Sequence, residues 1–384
     1  MHDKIRNAFE DLGLLDSYPG NITLEAAQSL ASKKLHELKD IPKFFLSTVL
    51  HPKFNGRCVF LLDQRTTAES VDDDDWGLDL GSEGQITYSF LDTTVLVFLC
   101  CDYSCKQDLA YRMHKINLSS PLLLPPISAD NRCILQTSVL RGIAQDVGFD
   151  TRIPILSLVA ANGSALNKTR IGNNLVLPSD CHKPFYDSGV EHDNKGNSQV
   201  LTLFDLGLID AVMARPAPCT CQNMSTQNAV QACSCTFAKD LLVLNLYGHV
   251  GKYDTQRQFV CEVSTLVAIW VDTGILKGDD KTLNNIKEIV NTSNKVLILL
   301  TKEENSSFDD CKDGVRELQE ALKGMGTEVL ILYSRKDGRR DKVEQIRKNL
   351  VRRVNHIMSS IEVDLSLKER FACLNFENIS TDEM

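Results

Sequence analysis

The sequence lacks an apolar run of the ~20 residues that a membrane-spanning helix requires, and its longest runs, such as Val95 to Cys101, stop far short. The opening MHDKIRNAFEDLG has no apolar core behind its basic residues, which predicts no secretory signal. A basic surplus is also missing. Acidic residues number 51 against 42 basic ones, so a broad nucleic-acid footprint is not expected. The eight histidines are scattered without spacing, and no Ser-His-Asp or Cys-His arrangement can be argued from them. What is present is ordinary for a folded chain: 384 residues, 43% hydrophobic and 24% charged, a length suited to two domains.

Thirteen cysteines, an odd number, without a secretory signal favour a reducing compartment with mostly free thiols. The predicted location is cytoplasmic, with the nucleus as an alternative. Cys58, Cys100 and Cys261 sit in apolar segments, where a thiol acts as a small hydrophobe. Cys219, Cys221, Cys233 and Cys235 form two Cys-x-Cys pairs in one polar stretch. Four thiolates can bind zinc tetrahedrally. The spacing and the Ser/Thr/Gln/Asn-rich bridge favour a thiol-bearing loop instead.

Residues 1–150 read as a mainly helical region. Ile5, Phe9, Leu12 and Leu15 share a helical face. Thr23 reads as the N-cap of a second helix and Ile41 to Leu50 as a third. Gln64 to Gln85, with its aspartates 72–75, reads as a solvated connector rather than a metal site. From Asp92 a buried helix is expected, then an extended segment at SSPLLLPP, then a helix from near Cys133 to about Val147.

The rhythm changes at Thr151. Apolar, β-branched runs at 153–161, 199–207, 240–248, 264–272, 295–302 and 327–333 predict six strands. Helices are expected at 255–262, 279–290, 309–322 and 339–357, alternating with the later strands. That alternation predicts an α/β fold with a mostly parallel sheet flanked by helices over 151–360, and a tail over 361–384. The second and third strands are expected to be an antiparallel pair joined by a long loop. The 339–357 helix carries Arg339, Arg340, Lys342, Arg347, Lys348, Arg352 and Arg353. It reads as a solvated outer helix whose stripe Val343, Ile346, Leu350, Val354 and Ile357 packs on the sheet.

In such a sheet, ligands bind beyond the carboxyl ends of the strands. After the first strand comes Ala161-Asn162-Gly163-Ser164-Ala165-Leu166-Asn167-Lys168-Thr169. Against G-x-x-x-x-G-K-[ST], Lys168 and Thr169 match, whereas Asn162 and Asn167 replace both glycines. A phosphate cradle needs inward N–H groups with no side chain between backbone and phosphate. Asparagine reaches the left-handed region more readily than most residues, but its side chain occupies the space. In this reading Lys168 supplies charge and Thr169 a hydroxyl for magnesium. After the third strand, Asn245-Leu-Tyr-Gly248 stands where D-x-x-G would hold magnesium and the γ-phosphate; Gly248 fits, and Asn245 has no carboxylate. His249 follows and reads as a plain loop histidine. After the fifth strand, Thr301-Lys302-Glu303-Glu304 stands where [NT]-K-x-D would read guanine, with Glu304 one methylene too long. Three partial matches in the right order predict a P-loop GTPase-like fold with a damaged site.

The chain resembles the family of interferon-induced very large GTPases and the related up-regulator of cell proliferation. FEDLGLLDSYPGNITLEAAQSL, IPKFFLSTVLHPKFNGR, TTVLVFLCCDYSCKQDLAYRMHKINLSSPLLLPP, LLVLNLYGHVGKYDTQRQFVCEVSTLVAIWVD and LSLKERFACLNFENISTDE carry the likeness. The resemblance implies a helical region followed by a GTPase-like domain, association with itself or family members, and interferon control. Larger members continue into a second G domain, so the chain is expected to be a short relative, a fragment or a truncated product. Three readings follow. The first is a pseudo-GTPase scaffold with weak or no binding of GTP or GDP with magnesium, through Asn162, Gly163, Asn167, Lys168, Thr169, Asn245, Gly248, Thr301, Lys302 and Glu304. The second is a working GTP hydrolase, and the third a nucleotide-free interaction domain.

Overall fold

The computed structural model describes residues 3–30, 38–50, 90–127, 132–161, 165–176, 184–186, 207–216, 237–272, 279–301, 308–325, 328–331, 340–372, 374 and 377–382. Among these residues the strands are β1 (Ser120–Leu124), β2 (Cys133–Leu135), β3 (Ile155–Ala160), β4 (Ile209–Ala214), β5 (Leu241–His249), β6 (Leu266–Asp272), β7 (Val296–Thr301), β8 (Glu328–Ile331) and β9 (Ile379–Thr381). The chain folds as two compact units. One comprises residues 1–146, 179–210 and 377–384, the other 147–178 and 211–376.

The first unit is built around the helix Phe90–Cys100, which is buried at every position from 91 to 100. A helix apolar on nearly all sides has to sit inside a layer of neighbours. The helix Ile41–Leu50 and β1 lie against it, and Phe9, Leu12, Phe45 and Leu46 are buried in the same unit. Thr23 caps the helix Leu24–Leu30, its Oγ1 accepting from Ala26 N at 3.2 Å. Asp102 caps the next helix, Tyr103–Lys115, accepting from Cys105 N at 2.7 Å. That helix crosses the Thr137–Ile143 helix at Gly142, where a Cβ would lie 2.3 Å from the Gln107 carbonyl oxygen. Only glycine permits so close an approach.

The region from Cys133 departs from the expected single helix. Cys133–Leu135 is a strand, antiparallel to β1 and parallel to β9, and the helix runs only from Thr137 to Ile143. The physical reason is a partner remote in sequence. Asn378 O accepts from Cys133 N at 2.9 Å. Asp382 Oδ1 accepts from Thr137 N at 2.7 Å and Thr137 Oγ1 at 2.8 Å, capping the helix start.

In the second unit the strand order is β8-β7-β6-β3-β5-β4. β3 pairs in parallel with both β5 and β6, β6 with β7, and β7 with β8. β3, β5, β6 and β7 are buried along nearly all of their described length and read as near-continuous apolar runs, as parallel sheets do. Helices Asp254–Val263, Asp280–Thr292, Phe308–Ala321 and Arg340–Ser359 lie between or after them, close to the expected bounds. The expected strand at 199–207 falls almost entirely outside the described residues, and the strand present is β4, at 209–214. The expected tail contains the helix Leu367–Ala372 and β9. In the last long helix Leu350, Val354 and Ile357 are buried as expected. Arg347, read as a solvated charge, is only 5% exposed. It lies one turn before Leu350 and Val351 and so shares their face.

Candidate functional site at the carboxyl ends of the parallel strands

Successive strands β3 and β5 are separated in the chain by β4, yet β3 lies between β5 and β6. The order therefore reverses direction at β3, the kind of switch point beyond whose strand ends open α/β sheets bind ligands. Because β3, β5, β6 and β7 are mutually parallel, their carboxyl ends share one edge of the sheet. Ala160, His249, Asp272 and Thr301 end these strands along it, and Asn245 and Gly248, expected to follow the third strand, lie within β5 instead.

Lys168 sits in the first turn of the Ala165–Val176 helix, directly downstream of β3. Its side chain is completely buried. The ammonium Nζ donates to Asn245 Oδ1 and to the Leu246 carbonyl oxygen at 2.8 Å, and lies 6.0 Å from the centre of the Tyr247 ring. Burying an ammonium is tolerable only when its donors are satisfied. A backbone irregularity provides the acceptors. Leu158 of β3 faces Asn245, but Ala160 faces His249, so four steps along β5 match two along β3. The surplus residues bulge out of the ladder, and Gly248, at φ +83°, makes the turn that an L side chain resists. The bulge leaves the Leu246 carbonyl oxygen accepting from the lysine rather than from β3.

Asn245 is also completely buried. Its Oδ1 accepts from Lys168, and its Nδ2 has no acceptor among the described residues. Thr169 is 6% exposed. His249 is half-buried, and its pKa is held below the ordinary value by burial first, then by Lys252 and Lys281, with Asp279 opposing. Asp279 caps the Asp280–Thr292 helix, accepting from Thr282 N at 3.0 Å. Arg257 ties the segment after β5 to that helix through Asn285 Oδ1 and Glu288 Oε1, both at 3.0 Å.

The remaining residues of the sequence-based set are less fully placed. Asn167 is the third residue of its helix, and Thr301 ends β7 in register with Asp272. Asn162, Gly163, Lys302 and Glu304 lie outside the described residues, as do Cys219, Cys221, Cys233 and Cys235. Two side chains at this edge have no motif to announce them. Asp272 is a buried carboxylate at the end of β6, and Trp270 is a buried indole whose carbonyl oxygen accepts from Ala161 N at 2.8 Å. Their position became informative only once β6 was known to border β3. Among the described residues no group of three or more His, Cys, Asp or Glu side chains is arranged to hold a metal ion. No helix among them is long and apolar enough to cross a membrane.

Comparison with curated protein sequences returned no match. Comparison with family models matched the up-regulator of cell proliferation-like domain across residues 88–384. That span includes the central buried helix of the first unit, the parallel sheet and the lysine-bearing helix, and on this evidence the chain belongs to the up-regulator of cell proliferation-like family, the GTPase-related family that its sequence resembles.

Proposed function

We propose that the chain is a GTPase-like module with a degenerate nucleotide site, acting as a scaffold for association with itself or with family members. The observation that carries this reading is Lys168. In a phosphate-binding loop that lysine reaches the β- and γ-phosphates. Here its ammonium is buried and donates to Asn245 Oδ1 and Leu246 O, so ligand phosphate has to compete with acceptors already in place.

Magnesium, which the GTPase-like reading implies, does not fit the donors at the D-x-x-G position. A magnesium ion is held through carboxylate and hydroxyl oxygens and their bound waters. At the D-x-x-G position Asn245 carries no carboxylate, and its one oxygen is taken by Lys168. Thr169 keeps a hydroxyl but has lost that partner. In the phosphate loop itself, Asn162 and Asn167 stand at the two glycine positions of the motif, where any side chain works against the close backbone approach a phosphate cradle needs. Hydrolysis needs cradle, metal and positioned water together, which favours a structural role for the site. The topological switch at β3 and the family membership support the GTPase-like origin.

The test is titration of the full chain with labelled GTP and GDP in magnesium buffer, alongside Lys168→Ala, with sedimentation analysis of self-association. The expected result is weak or absent nucleotide binding, no sustained turnover, and an association state that does not change with nucleotide. Sustained GTP hydrolysis abolished by Lys168→Ala sinks the reading in favour of a working hydrolase.

A further inference from the structure

We infer that residues 377–384 are an exchangeable segment through which two copies of the chain pair, each giving its β9 to the other's β2, an inference that rests on the self-association in the proposed function and specifies its contact. The chain passes from the second unit to the first between Phe376 and Glu377, so the segment docks on a unit other than the one it leaves. What holds it there is specific and almost wholly polar. Cys133 N donates to Asn378 O at 2.9 Å and Asp382 N to Leu135 O at 3.1 Å. These bonds set Ile379, Ser380 and Thr381 in parallel register beside Cys133, Ile134 and Leu135. Ser380 Oγ donates to Cys133 O at 3.3 Å. The Asp382 carboxylate accepts from Thr137 N at 2.7 Å, from Thr137 Oγ1 at 2.8 Å and from Ser138 Oγ. Lys106 Nζ lies 3.6 Å from it. Bonds to an ionised acceptor are the strong ones, so one side chain provides most of the anchorage.

Apolar burial adds little. Ile379 and Ser380 are half-buried and Thr381 is exposed. A three-residue strand with no buried side chain belongs among the first elements to open. Opening leaves β2 with an unpaired edge, which takes up another strand readily, beside hydroxyl and ammonium donors that call for a carboxylate. The same segment of a second copy meets both demands, because it carries the same Ile-Ser-Thr-Asp and makes the same bonds in the same register. Reciprocal exchange closes a two-fold dimer. Tethering favours the chain's own segment when the protein is dilute, so pairing grows with concentration.

The experiment is sedimentation of the full wild-type chain over a concentration series, alone and with excess synthetic peptide of residues 377–384. A dimer that grows with concentration is expected, and the peptide is expected to cut its fraction about threefold. The same peptide carrying Asp382→Asn is expected to leave the dimer unchanged. A second measurement mixes two full-length variants, Asp382→Asn with an impaired segment and Thr137→Val/Ser138→Ala with an impaired docking site. Each alone is expected to sediment as a monomer, and the equimolar mixture to form a heterodimer. No dimer at any concentration, a dimer indifferent to the wild-type peptide, or folded variants that form no heterodimer overturns the inference. Association that survives both variants also overturns it but leaves the scaffold reading standing, and sustained GTP hydrolysis bears on that reading alone. The peptide measurement needs no variant to fold.

Discussion

Lys168 concentrates more of the site's physics than any other single residue. Its stem is enclosed, and two acceptors from β5 hold its charge. Lys168→Ala removes the donor from both acceptors at once and opens a cavity around the lost stem. Orphaned buried acceptors and cavities each cost in the kcal/mol range, so a loss of about 2–4 kcal/mol is expected, read as a lower urea midpoint with an unchanged slope. His249 gives a second test. Its pKa is lowered, by burial first and then by Lys252 and Lys281, so the folded protein resists protonation more than the unfolded chain does. The unfolded state binds more protons as pH falls through about 6.5. Stability from this residue is therefore complete above that value and declines below it. His249→Gln should flatten the stability profile below about pH 6.5, while the wild type should fall.

At the scale of elements, the crossing of the Tyr103–Lys115 and Thr137–Ile143 helices depends on the missing side chain of Gly142. A Cβ would meet backbone oxygen at 2.3 Å and the Ala110 Cβ at 2.9 Å, and backbone cannot yield by changing rotamer. Gly142→Ala is expected to force the helices apart at a cost of about 1–3 kcal/mol, despite alanine's better helix propensity. Thermal unfolding of the variant checks the sign; a rise in stability would refute the close-packing argument. Elements with strong local signals were legible from sequence. The alternating helices and strands from Ile155 onward have capping residues, apolar runs and length to define them. Cys133–Leu135 did not, because three residues cannot display a period and their partner β9 lies more than two hundred residues away.

At the scale of the whole molecule, residues 377–384 belong to the same compact unit as residues 1–146. They supply the strand beside β2 and, through Asp382, the cap of the Thr137–Ile143 helix and an ion pair with Lys106 at 3.6 Å. Deleting residues 377–384 is expected to speed amide hydrogen exchange across 133–143 while leaving β6, in the other unit, protected. Unchanged exchange at 133–143 would show that β9 does not stabilise this region. The family match, which runs to residue 384, takes in this closing segment.

Local chemistry was enough to mark the lysine–threonine pair with the strand before it and the asparagine in the D-x-x-G position, though not that this asparagine lies inside its strand, because motif spacing is written in consecutive residues and strand ends are not. It was also enough for the buried Phe90–Cys100 helix, whose apolar run exceeds what a half-exposed element carries. Tertiary structure alone decided which side chain answers Lys168. The two residues are 77 positions apart, and only the bulge in β5 turns Leu246 O and Asn245 Oδ1 toward one ammonium. It likewise brought Trp270 and Asp272 to the same edge, since strand adjacency depends on the path of the whole chain and not on any stretch of it.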